Sequence, residues 1–323
     1  MAVCFALLAV SSVALAQTGQ PSSVNPTANS VKEQQLLKEL DRVTGRITIP
    51  DSRAATLIQP EGRQWRQFHE STLPTYGAVI LLGMLAVLIL FYLVRGKIRI
   101  ESGRSGKTIT RFGGFPRFVH WLTAVSFIIL ALTGLNVVFG KTLLPPLIGE
   151  SNFAAASQWA KYAHNYFSVP FTAGIICMFV IWVWGNLPSA VDFTWLAEGG
   201  GLIGHKRPPA DKFNAGQKLI FWGVILVGGA IAVSGYFLMF PFYATDIAGM
   251  QIAQVVHSIG GVLLIAVILA HIYIGTIGME GAFEAMANGQ VDLNWAKEHH
   301  SLWVEKQSRK AAEMGQAVPA PAE

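Results

Sequence analysis

The sequence predicts an all-α integral membrane protein, a four-helix bundle preceded by one additional N-terminal transmembrane helix. Three observations carry that prediction. Apolar residues make up 52% of the 323 and charged residues only 13%, about half the share usual in a soluble domain. The apolar residues gather into runs of roughly twenty, each long enough to cross a hydrocarbon layer of about 30 Å. The charges fall in the loops and tails between those runs, which leaves no material for a soluble globular core. The surplus of 24 basic over 19 acidic residues needs no nucleic acid to account for it and reads as a topology signal.

The elements follow in order. Residues 1–16 (MAVCFALLAVSSVALA) read as a signal peptide. Ala14-Leu15-Ala16 suits cleavage before Gln17, although the usual positive n-region is missing; a short uncleaved anchor is the alternative. Residues 17–73 form a polar arm. It comprises a linker-like stretch, a helical pattern with Leu36, Leu37 and Leu40 on one side, and a segment broken by Pro50 and Pro60. Span one covers 74–94, and a basic loop covers 95–117. The bundle occupies 118–278, with spans two to five at about 118–139, 166–187, 217–240 and 254–278. Residues 279–323 are polar, end in AVPAPAE, and are expected to form a disordered tail.

Positive charge predicts the orientation. The loop after span one carries Arg95, Lys97, Arg99, Arg104, Lys107, Arg111 and Arg117, and the region after span three adds Lys206, Arg207, Lys212 and Lys218. The loops after spans two and four carry only Lys141 and Lys161. The first pair of loops is therefore expected in the cytoplasm, with residue 17 outside and the C-terminal tail inside. The signal peptide agrees with that topology.

The two cysteines, Cys4 and Cys177, build no disulfide framework, CxxC clip or CxxCH attachment motif, so iron–sulfur clusters and covalent haem c are not expected in this chain. Histidine is more informative. Four of the eight histidines, His120, His164, His257 and His271, sit in spans or at their ends, where ionisable side chains are costly and functional by default. His257 and His271 are 14 residues apart, which on a helix is about 21 Å of rise and about 40° of rotation. They share a face at two depths. His120 opens span two at the depth of His271, and His164 just precedes span three at the depth of His257.

Opposed histidines in two pairs suit six-coordinate haem iron, which takes one imidazole nitrogen on each face. Zinc would want further ligands at the same depth, and a proton relay would want carboxylates, which the cores of spans two to five lack. The bundle is thus a candidate haem-binding bundle with two haem b groups. Gly134 lies 14 residues after His120, at the depth of the other pair, where a hydrogen would clear a porphyrin and a side chain would not. Gly174, Gly235, Gly260 and Gly261 serve either that purpose or close helix packing. Arg117 reads equally as a partner for a haem propionate or as one more topogenic charge. His69, His205, His299 and His300 are expected to be solvated. DKFNAGQK, residues 211–218, leads into span four; Asn214, Gly216 and Gln217 could offer hydrogen bonds to a quinone carbonyl or simply cap the helix.

The chain resembles the gamma subunit, a membrane cytochrome b, of respiratory formate dehydrogenase. The residues that carry the resemblance are RFGGFPRFVHW with His120, KFNAGQK, and the His257/His271 pair, over about residues 110–300. The arm motif GRITIPDSRAATLIQPEGRQWR resembles that of longer gamma subunits with an extra N-terminal span. The resemblance implies an electron-transfer subunit; formate chemistry belongs to a separate alpha subunit with a molybdenum or tungsten pterin. An iron–sulfur beta subunit would pass electrons to an outer haem at His164 and His257. An inner haem at His120 and His271 would pass them to quinone near Asn214, Gly216 and His271. A cytochrome b of hydrogenase or another oxidoreductase is the alternative within the class, and a haem-free membrane anchor or transporter the alternative outside it.

Overall fold

The computed structural model describes residues 62–202, 206–241 and 243–314. The expected signal peptide, the arm up to residue 61, His205 and the last nine residues lie outside them. Among the described residues, five helices are long and apolar enough to cross a membrane: α1 (Gly62–Arg95), α2 (Gly114–Leu143), α3 (Glu150–Trp182), α5 (Ala215–Met239) and α6 (Ile247–Gly278). A short helix α4 (Ala190–Ala197) separates α3 from α5. After the spans come α7 (Glu284–Ala287), α8 (Leu293–His299) and α9 (Ser301–Glu313). Strands β1 (Thr108–Thr110) and β2 (Gln290–Asp292) pair antiparallel, with Ile109 opposite Val291.

The spans are longer than their apolar runs because caps and polar helical turns extend them. Asn214 caps α5 through its side chain, which accepts from the Gln217 amide, and Asp246 caps α6 by accepting from the Gly249 amide. The largest extension is in α3, which begins at Glu150, 16 residues before the expected span. Ala154, Ala155, Ala156 and Ala160 favour helix over that polar stretch. His164 is therefore not at a helix start; it lies inside a 33-residue helix.

Lipid supplies no hydrophobic drive between helices, so their association depends on close packing and interhelical hydrogen bonds. Here α2 packs along α3, α5 along α6, and α1 on α6. At Gly174 of α3 a Cβ would run into the Thr123 hydroxyl of α2. Gly228 of α5 admits Phe171 and Ile175 of α3 and Leu264 of α6. Tyr236 of α5 donates to the Thr172 hydroxyl of α3 at 3.1 Å. Gly77 of α1 rests against Val262 of α6 and Phe139, and farther along Phe91 and Tyr92 meet Tyr273 edge to face. The outward side of α1 is a row of exposed apolar residues, among them Val79, Leu82, Val87, Leu90 and Leu93, as a lipid-facing surface requires.

The basic end is folded, which corrects the expectation of a disordered tail for residues 279–314. Val291, Leu293, Trp295, Trp303 and Val304 are buried with Ile100, Phe112, Val119, Met178, Trp182 and Phe221 in one core. Asp292 ties the tail to the first loop. It caps α8 through the amides of Asn294 (2.8 Å) and Trp295 (3.3 Å) and accepts from the amide and hydroxyl of Ser105 (2.9 and 3.0 Å). Arg104 pairs with Glu280 and Glu284. Arg117 donates to the carbonyls of Met286, Ala287 and Asn288, so it secures the end of α7 rather than standing as a free loop charge.

Candidate metal centres

Helix α6 carries His257 and His271 on one uninterrupted α-helical stretch, Ile247–Tyr273, so the two rings lie about 21 Å apart along the axis. His164 of α3 faces His257 with ring centroids 6.0 Å apart and planes at 62°. His120, in the second turn of α2, faces His271 at 6.3 Å and 58°. A direct N–H···N hydrogen bond of about 2.9 Å would draw the centroids to about 5 Å. Two nitrogens, each about 2 Å from a shared metal, set them about 6 Å apart. Both pairs stand at the second spacing, which is also that of plain edge-to-face ring contacts here such as Trp159 with Tyr162 at 5.8 Å.

The hydrogen bonds of the first pair leave the right nitrogens available. The Thr133 hydroxyl donates its proton to the carbonyl of Ile129 at 2.7 Å, so its lone pairs receive the Nδ1–H of His164, also at 2.7 Å. His257 donates Nδ1–H to the carbonyl of Ile231 at 2.9 Å; Ser234, whose hydroxyl is given to the Ala230 carbonyl, stands at 3.4 Å. With the proton on Nδ1, each Nε2 keeps a lone pair that could ligate a metal, and the hydrogen bond at Nδ1 fixes the ring. In the other pair, Nδ1 of His120 is buried with no partner among the described residues, and its ring packs edge-on against Trp121.

Among the described residues no group of three or more His, Cys, Asp or Glu could hold a metal. Each candidate centre is a pair of imidazoles, a donor set suited to a metal whose other ligands come from a macrocycle. The fold leaves width for one. Helices α2 and α3 pair tightly, as do α5 and α6, but the helices bearing opposed imidazoles keep their backbones largely apart. Two glycines border the first pair. A Cβ at Gly134 would stand 3.6 Å from Cε1 of His164, and one at Gly235 would stand 3.0 Å from Cε1 of His257. Gly174 and Gly260 instead admit Thr123 and Ile231, which is helix packing, and Gly261 has no neighbour within 4 Å. The residues present therefore fit such a group at each pair.

Asn214, Gly216 and Gln217 come together at the start of α5. The Asn214 carboxamide oxygen accepts from the Gln217 amide at 2.9 Å, and Gln217 Oε1 accepts from the Asn214 amide at 3.2 Å, a reciprocal capping box. Gly216 lies under Trp195 of α4, 3.1 Å from where a Cβ would be. Lys218, one residue on, is buried against Asp192 at 2.7 Å, which holds the Asp192 carboxyl below its ordinary range despite its partial burial.

Of the histidines expected in solvent, His299 and His300 are buried and His69 is half-buried. His69 of α1 bonds Gln254 of α6 at 3.2 Å and meets Trp65 edge to face. His300, 1% exposed, has its Nδ1 2.7 Å from the carbonyl of Asp211. His299 is buried beside it; burial first, then Arg207, pushes its pKa down to about 4. Thr133, Ser234 and the Ile231 carbonyl were not singled out in the sequence. The signal for the first two is a hydroxyl inside an apolar span; the carbonyl has no sequence signal.

Residues 111–289 match the prokaryotic cytochrome b561 family. The nitrate-inducible formate dehydrogenase cytochrome b556(Fdn) subunit of Escherichia coli K12 is 29% identical over 219 residues, which cover 65% of this chain and 98% of that relative. The formate dehydrogenase cytochrome b556(fdo) subunit of the same organism is 32% identical over 212 residues, 64% of this chain and 98% of its own length. The formate dehydrogenase cytochrome b556 subunit of Haemophilus influenzae is 27% identical over 193 residues, 58% and 78% of the two chains. With its five long apolar helices and imidazole pairs, the chain is a multi-pass membrane protein that belongs to the prokaryotic cytochrome b561 family.

Proposed function

We propose that this chain is the dihaem membrane cytochrome b subunit of a formate dehydrogenase complex. It carries electrons inward from a periplasmic iron–sulfur subunit, itself fed by a molybdenum- or tungsten-pterin subunit that oxidises formate, and delivers them to quinone on the cytoplasmic side. The observation that supports this most directly is the pair of imidazole pairs, 6.0 and 6.3 Å across, set at two depths along one helix. Haem b, held by His164 with His257 and by His120 with His271, would supply reversible one-electron chemistry. With an imidazole of each pair on either side, the site would be left to electron transfer rather than oxygen binding.

The chain's own residues do the rest. Thr133 and the Ile231 carbonyl keep the protons of His164 and His257 on Nδ1. Gly134 and Gly235 keep side chains away from those rings. The basic end, read as cytoplasmic from its lysines and arginines, holds Asn214 and Gly216, where we place the quinone, with Gln217 closing the capping box beside them. Protons for quinone reduction would come from cytoplasmic water, so each turnover would separate charge across the bacterial inner membrane.

The test is haem quantification per chain, with reduced-minus-oxidised spectra of the purified protein. Two b-type haems are expected. His164→Ala should remove one and His120→Ala the other; a colourless chain, or one haem per copy, overturns the reading. The partner that copurifies distinguishes formate dehydrogenase from hydrogenase or another oxidoreductase.

A further inference from the structure

One cation at the basic end is almost wholly buried without a carboxylate beside it among the described residues. Arg111 is 3% exposed. Its guanidinium lies 5.4 Å from the ring centroid of Phe112, 5.2 Å from that of Trp295 and 5.9 Å from that of Trp303. Aromatic faces thus meet a charge that an acid would ordinarily meet. Its Nη2 donates in two directions, to the Lys212 carbonyl at 2.6 Å and to Gln217 Oε1 at 3.2 Å.

The second of these bonds reaches the start of α5. Gln217 Oε1 is the same atom that accepts from the Asn214 amide, and the Gln217 amide in turn sets the Asn214 carboxamide. Behind Arg111, the tail supplies Trp295 from α8 and Trp303 from α9. It also grips the 210–212 segment, through Leu302 to the Ala210 carbonyl at 3.1 Å, His300 to the Asp211 carbonyl, and the Lys306–Asp211 ion pair. A continuous line of contacts therefore runs from the tail through Arg111 and Gln217 to Asn214. A planar guanidinium is suited to this: it stacks on indole and donates in its own plane at once, which an ammonium does not do.

We propose that Arg111 is a positioning residue for quinone, holding Gln217 and hence the Asn214 carboxamide in binding orientation, with the folded tail as its backing. This rests on the reading that quinone binds at Asn214 and Gly216. Arg111 touches neither quinone nor haem, so its removal should weaken quinone binding without changing the haems.

The experiment uses the purified, haem-loaded full chain and menadiol as electron donor. Each menadiol gives two electrons, one to each of two haems, and releases two protons to water as it becomes menadione. The initial rate of haem reduction is followed against menadiol concentration in the wild type, Arg111→Lys, Gln217→Met and Asn214→Ala. Arg111→Lys and Gln217→Met should each raise the half-saturating concentration about tenfold, the usual weight of one hydrogen bond to a charged group. Maximal rate, haem-to-protein ratio and both midpoint potentials should stay at wild-type values. If Arg111→Lys loses haem, Gln217→Met decides alone, because it leaves the aromatic cage intact. Unchanged half-saturation in these two variants, with a rise in Asn214→Ala, overturns the role of Arg111 and leaves the quinone site standing. Unchanged half-saturation in Asn214→Ala as well overturns the quinone site itself.

Discussion

Thr133→Val is the most selective perturbation of the first metal centre. It preserves the shape of the side chain and removes the hydroxyl that receives Nδ1–H of His164 at 2.7 Å. A neutral hydrogen bond of this kind is worth about 1 kcal/mol. Ferric iron draws more electron density from its ligand than ferrous iron does, so the bond is stronger in the oxidised state and holds the midpoint potential down. If the whole bond were specific to the oxidised state, its loss would raise the potential by about 40 mV, since 1.4 kcal/mol corresponds to 59 mV for one electron. Part of the bond persists in the reduced state, so a rise of about 20–40 mV is expected. Potentiometric titration of the visible bands in the purified, haem-loaded chain reads both centres at once. The centre at His120 and His271, about 21 Å away, should not move. A fall in potential, no change, or an equal shift at both centres would refute the assignment of Thr133 to His164 alone.

Other outcomes follow from the same geometry. Gly235→Ala places a Cβ 3.0 Å from the His257 ring and should lower haem content at that centre; Gly261→Ala, with no neighbour within 4 Å, should leave the spectrum unchanged. Asp292→Ala removes the cap of α8 and both bonds to Ser105. It should destabilise the tail by about 1–2 kcal/mol, measured as faster proteolysis at residues 293–304 with haem retained. The tail should also be acid-sensitive. Burial pulls His299 from 6.5 to about 4 and His300 well below its ordinary value, with Arg111 opposing the charge on both and Glu298 favouring it only on His299. The unfolded tail therefore binds more protons between those values. Its stability should be complete above about pH 6.5 and fall as pH drops towards 4, by about 3 kcal/mol for His299 alone at 1.36 kcal/mol per pH unit. Amide exchange at 293–304, corrected for intrinsic pH dependence, checks this; a flat profile would contradict it.

The spans and the histidine pairing were legible because both depend on short-range rules. A run of about twenty apolar residues has few alternatives to a transmembrane helix, and the spacing of His257 and His271 translates directly into depth and face. The start of α3 was not legible, since its first turns are polar and only alanine content hints at helix. The fold of the tail is hidden in the sequence for a different reason. Its average polarity is high, yet Val291, Leu293, Trp295, Trp303 and Val304 fall on buried positions, a pattern too short and too interrupted by charge to stand out. Arg117 was ambiguous in sequence because its partners are backbone carbonyls of α7, which carry no side-chain signature.

Sequence by itself determined that the chain spans a membrane, which helices do so, and which four imidazoles stand at two depths, because hydrophobic length and helical pitch are local properties. Only the tertiary structure decided how wide each pair stands, which nitrogen of His164 and of His257 is free, and that the tail folds over the basic end. Those depend on distances between residues far apart in the chain: Thr133 to His164, Ile231 to His257, Arg111 to Trp295. Such distances are set by how helices pack, and no single segment contains them.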